Sequence, residues 1–205
     1  MPKIDAPGKH GTQKQFDKAF EPVAIEIGHF ARAWNGLHEE LGTIFSTIID
    51  VSRASVPLAI WYSIPDDGLK RRMLRAATGA WFPPKEMDGS LKDEIAWLLK
   101  RSDLLAERRN DALHAPIHVL MRMDDFTFSV EPNYFWGNPR ATKLKGKDMR
   151  AEFAGYRRET DVLRNYAFKI WMHMRSRVPL PGRPAELNPA PQSTRTRPSR
   201  LKPTT

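Results

Sequence analysis

Glu107-Arg108-Arg109-Asn110-Asp111-Ala112-Leu113-His114-Ala115-Pro116 is the stretch whose reading decides the fold. It closes a run in which Leu91, Ile95, Leu98, Leu105, Ala112 and Leu113 share one arc of a helical wheel turned by about 100° per residue. That run predicts a long amphipathic helix, with its start near Ser90 capped by Asp88 or Ser90, and a stop at Pro116. Arg109 falls near the middle of the apolar arc. A guanidinium there is costly unless it has a partner or a task. Proline disfavours helix in the residue before it, so the sequence predicts that His114 leaves the helical path and turns toward Arg109. An Arg and a His held together at a helix end point to phosphate chemistry.

The flanking segments predict further helices. Ile27, Phe30, Trp34, Leu37, Leu41, Ile44 and Ile48 step by three and four without a break. Pro57 and Pro65 bracket a short apolar segment. A helix starts near Pro65-Asp66-Asp67, where carboxylates suit the positive end of the helix dipole, and it runs to Trp81 before Pro83-Pro84. A last long helix spans about 147 to 175, with Met149, Phe153, Tyr156, Leu163, Ala167, Ile170 and Met174 as its stripe. Between the last two long helices the period changes to two. Val119, Met121 and Met123, then Phe126, Phe128 and Val130, read as a β-hairpin at about 117–131. Residues 133–147 read as loop, with Tyr134-Phe135-Trp136 folded back onto the bundle.

The fold class expected is therefore all-α: a four-to-five-helix up-and-down bundle over 21–176, with a small β-hairpin insert before the last long helix. Residues 1–20 are expected to be flexible. Residues 177–205 are expected to form a disordered, basic, proline-rich tail, because they hold almost no apolar surface to bury.

Composition limits the function classes. With 205 residues and 40% hydrophobic content the chain can bury one real core. It has no cysteine, which rules out disulfides and thiolate metal sites. No signal-peptide core and no membrane-length apolar run stand in the sequence, so the expectation is a cytoplasmic protein away from the membrane. The net charge is +9. Much of the excess sits in the tail, as Arg177, Arg183, Arg195, Arg197, Arg200 and Lys202 against Glu186. A polyanionic partner is favoured only weakly.

Arg109-Asn110-Asp111-Ala112-Leu113-His114, near the end of the third long helix of a helical bundle, resembles the R-x4–6-H motif of the HEPN superfamily. The motif match covers about six residues and the architecture about 22–175. The resemblance implies a metal-independent endoribonuclease that needs no cofactor and dimerises to build one composite site. It would act on RNA as a toxin or defence effector, with an antitoxin or a small nucleotidyltransferase as partner. Arg109 would stabilise charge on the phosphoryl oxygens, His114 would serve as general acid/base, and Asn110 would orient the imidazole or the phosphate. Some members of the superfamily have lost activity. The competing reading makes the chain a silent bundle that binds a protein or nucleotide, with Arg109 clamped to Asp111, Glu39 or Glu40.

Other patterns carry less. Glu26-x-x-His29 and Asp111-x-x-His114 imitate a di-metal spacing, but the intervening helix offers no interior carboxylate to complete it, so no metal is expected. Arg32 and His38 repeat the Arg-to-His pattern inside the first helix, where the spacing separates them. Most of the six tryptophans sit on helical stripes and read as core rather than as base-stacking rings. Arg71-Arg72 and Arg157-Arg158 read as solvated faces.

Overall fold

The computed structural model describes residues 12–49, 55–81, 90–121 and 127–187. Among these lie six α-helices and one antiparallel hairpin, in the order α1 (Gln13–Ile49), α2 (Ser55–Ser63), α3 (Asp67–Ala80), α4 (Leu91–His114), β1 (Ile117–Met121), β2 (Phe128–Pro132), α5 (Pro139–Lys143) and α6 (Met149–Ser176). The chain is an all-α bundle with a hairpin insert before its last long helix.

The most extensive packing is between α1 and α6, with α4 laid against α6 and α3 bridging α1 and α4. Phe30, Leu37, Leu41 and Ile44 of α1 meet Ile95, Leu98 and Leu105 of α4 and Phe153, Leu163 and Ile170 of α6 in one core. The starts of α3 and α6 are fixed by side-chain caps, whereas Ser90 precedes α4 without a side-chain cap bond. Asp66 accepts from the Leu69 N–H at 2.5 Å, and Asp148 accepts from the Ala151 N–H at 3.1 Å. Each cap supplies an acceptor to a backbone donor that the helix itself leaves unpaired. The hairpin pairs Ile117 with Pro132, Val119 with Val130 and Met121 with Phe128. Pro83-Pro84, Asp88, Met123 and Phe126 lie outside the described residues.

Several expectations are corrected. Helix α1 starts at Gln13, so the segment up to residue 20 is partly helical rather than loose. Leu113, placed on the α4 stripe by the wheel, is 40% exposed; Leu99, Ser102 and Ala106 are buried instead. Arg71, expected on a solvated face, is buried. Phe135 and Trp136 do not fold back onto the bundle: they are 61% and 88% exposed, and only Tyr134 packs against the core.

The tail boundary also moves. Arg177 takes a left-handed conformation (φ 53°) and ends α6, and the His173 Nδ1–H donates to the Val178 carbonyl at 2.6 Å. Leu180 and Leu187 then pack on the core. Arg183 Nε donates to Glu94 at 2.9 Å and its guanidinium lies 5.5 Å from the Trp97 ring centroid. Two leucines and one arginine are enough to dock a proline-rich segment of low overall apolar content. The rest of the expected tail lies outside the described residues.

Candidate functional site at the end of α4

Arg109 projects from α4 into the junction with α1 and α3. Its Nε and one terminal nitrogen donate to Asn110 Oδ1 at 3.0 and 2.9 Å. Its other terminal nitrogen is 3.8 Å from Asp67 Oδ2, and its guanidinium carbon is 4.8 Å from the Trp34 ring centroid. About a quarter of the side chain stays exposed. Burial pulls its pKa below the ordinary arginine value, and Asp67 opposes that pull. The carboxylate that compensates the buried cation is therefore Asp67. Two of the three expected candidates are engaged elsewhere, Asp111 with Lys143 at 2.6 Å and Glu40 with Arg164 at 3.9 Å, and no ion pair joins Glu39 to Arg109 among the described residues.

Asn110 orients Arg109 rather than His114. His114 is the last residue of α4 and is exposed, with no side-chain hydrogen bond among the described residues. The expected turn away from the helix does not occur. The Ala115 N–H still bonds to the Asp111 carbonyl at 3.0 Å, and only Ala115 itself is extended (ψ 133°). The restraint of Pro116 falls on the one residue that precedes it. Within one copy, Arg109 and His114 therefore stay five helical positions apart, about 140° around the axis and roughly 8 Å along it. The structure brings Arg109 and Asn110 together; His114 lies four positions from Asn110 on the same helix face but hydrogen-bonds neither residue.

Around Arg109 lies a charged seam that sequence reading missed. Trp34 Nε1 donates to Asp67 Oδ2 at 2.9 Å. His38, one turn along α1, contacts the Trp34 carbonyl through Nδ1 at 3.1 Å and Arg71 through Nε2 at 3.1 Å. A carbonyl only accepts, so Nδ1 carries the proton and Nε2 accepts from Arg71. Arg71 Nε and Arg75 both donate to Asp103 at 2.6 Å. Burial pushes the His38 pKa down to about 4, against the pull of Asp67. Burial alone would raise the Asp67 carboxyl, but His38, the Trp34 N–H, Lys70 and Arg109 together hold it below the usual range. The available signal was spacing: Trp34 and His38, like Asp67 and Arg71, are four apart and share a helix face.

The remaining candidates fall away from this junction. Glu26 pairs with Arg157 at 3.3 Å, and no metal-ligand cluster of three or more His, Asp or Glu occurs among the described residues. A cavity of about 450 Å³ between α1, β2 and the start of α6 is lined by Pro22, Val130, Glu131, Lys147 and Arg150 and by none of the three site residues. No helix among the described residues is long and apolar enough to cross a membrane. No protein-family model, curated protein or solved structure matches the chain.

Proposed function

We propose that the bundle is a metal-independent endoribonuclease of HEPN type whose site is completed by a second copy of the chain. The observation that carries the reading is the division of roles at the end of α4. Arg109 is a cation fixed by Asn110, Trp34 and Asp67, with an edge still open to solvent. His114, at the end of the same helix, is exposed and uncommitted. A preorganised cation stabilises charge on a phosphoryl oxygen without reorganising during reaction, whereas an acid/base group needs access to its proton partner. In the reaction the 2′-oxygen bonds to phosphorus as the bond to the 5′-oxygen breaks. One imidazole takes the 2′-hydroxyl proton and one protonates the departing 5′-oxygen, so a two-fold pair of His114 side chains divides the work. A C2 contact near the end of α4 would also place each His114 toward the other copy's Arg109, closing a gap that one copy leaves open.

The contact of Arg109 with Asp67 and Trp34 favours a second reading, in which Arg109 only clamps three helices of a binding module. Purified protein incubated with mixed RNA and EDTA separates the two. The nuclease reading expects cleavage products ending in 2′,3′-cyclic phosphate and no effect of the chelator. His114→Ala should be inactive with an unchanged melting temperature. Arg109→Lys should keep the fold and lose about 10²–10³ in rate, since the forked donor is gone. An inactive wild type with a well-folded dimer would overturn it.

A further inference from the structure

We infer that the corner formed by Phe135 and Trp136 is a stacking platform for single-stranded RNA, set where α4 ends. The inference deepens the nuclease reading, on which it rests for the link to His114, and names the form of RNA that the protein takes.

The corner is a built turn. Gly137 N–H bonds to the Tyr134 carbonyl at 3.2 Å, so Phe135 and Trp136 occupy the two central turn positions. Gly137 has φ +72°, a conformation that a glycine adopts without steric cost. Both flanks are pinned. The Asn133 N–H donates to the Pro116 carbonyl at 2.6 Å, two residues beyond His114. On the other side Asn138 caps α5, accepting from the Arg140 and Ala141 N–H groups. Phe135 stacks on His118 with ring centroids 5.7 Å apart and planes within 16°. Trp136 is left 88% exposed, so the fold gains almost nothing from its large apolar face.

The segment is basic. From Asn133 to Lys147 the chain carries Arg140, Lys143, Lys145 and Lys147 and no carboxylate, although Lys147 is paired with Glu152 of α6 at 3.2 Å. Asp111 takes Lys143 at 2.6 Å and, more distantly, Arg140 at 4.0 Å, which ties this segment to the last turn of α4. Lys145 lies 4.9 Å from the Tyr134 ring centroid. An exposed indole on a segment rich in lysine and arginine matches a ligand that presents a flat π-face next to phosphates. An unpaired nucleotide offers that face; in an A-form duplex the bases are stacked on one another and closed to it. The charge of the segment argues against a basic partner protein.

The test uses the full chain carrying His114→Ala, so that the probe survives, and a fluorescein-labelled oligoadenylate with a blunt-ended RNA duplex of equal length as control. Anisotropy should show the single strand bound more tightly than the duplex. Trp136→Ala should weaken single-strand binding about tenfold, the scale of one lost base stack, with no change in melting temperature. Trp136→Phe should recover most of it. Lys145→Ala with Lys147→Ala should flatten the salt dependence. No single-strand binding, or equal binding by Trp136→Ala, would overturn the inference. So would a Trp136→Ala chain that turns monomeric, which would make the corner a contact between copies. If the single strand binds through Trp136 but the chain with His114 intact cuts nothing, the platform stands and the nuclease reading falls. If that chain cleaves and Trp136→Ala leaves KM unchanged, the platform falls and the nuclease reading stands.

Discussion

At the residue scale, His38 links the seam to pH. Its ordinary pKa is 6.5, and burial in the fold lowers it to about 4. The unfolded chain therefore binds the proton more readily. Stability from this group is fully present above about 6.5 and is lost as the pH falls through about 4. By pH 4 the loss is about 3 kcal/mol, at about 1.4 kcal/mol per pKa unit. Urea unfolding measured between those limits should show this slope, and His38→Gln should remove most of it, because glutamine both donates and accepts without taking a proton. An identical slope in the variant would place the pH dependence elsewhere. Asp67 and Asp103, whose pKa values lie below the ordinary 3.8, lose their contributions only at lower pH. Burial raises the Glu40 carboxyl above its ordinary 4.5, so Glu40 titrates inside the window with the opposite sign, and the slope is read as the difference between wild type and His38→Gln. This part of the candidate site was only half legible. The wheel showed that Arg109 needed compensation, but its carboxylate is 42 positions away in sequence, on another helix, and periodicity says nothing about which helices face each other. The same blindness put Arg71 in solvent.

At the scale of elements, periodicity read the helices well because burial, not intrinsic propensity, sets the repeat. The stripes of α1 and α6 and the β1–β2 pairing follow the spacing in the sequence. Apart from Arg71 in α3 and the buried face of α4, the failures lie at ends and turns, where one hydrogen bond decides. His114 stays helical because the Ala115 N–H keeps its bond. Trp136 faces out because a turn bond and a glycine place it at a corner. Two glycines of α1 test how tightly that helix is packed. A Cβ on Gly42 would come within 2.8 Å of Trp61 Nε1, while one on Gly28 would meet nothing within 4 Å. Gly42→Ala should cost about 1–3 kcal/mol by overpacking, and Gly28→Ala should stabilise by about 0.5–1 kcal/mol through helix propensity. Thermal melts of the two variants should move in opposite directions. A neutral Gly42→Ala would mean that the Trp61 ring has room to shift.

At the scale of the molecule, the docked segment after α6 changes what truncation should do. Removing everything after residue 187 should leave the melting temperature nearly unchanged, since residues 188–205 carry only Ala190 and Leu201 as apolar side chains besides their prolines. Removing everything after residue 177 takes away Leu180, Arg183 and Leu187, and it should lower the melting temperature by several degrees. Equal melts for both would show that the segment contributes nothing. The composition of the tail hid this docking because an average over 29 positions dilutes two leucines. The Arg183–Glu94 pair also has a consequence for tethering. Glu94 lies in the first turn of α4 and His114 is its last residue, so the anchor and the imidazole are about 30 Å apart along one rod. Residues 178–183 thus strap the C-terminal half of α6 to the first turn of α4, at the far end of that helix from His114. Cutting the strap should therefore loosen one pole of the bundle and leave the helix end that carries His114 in place.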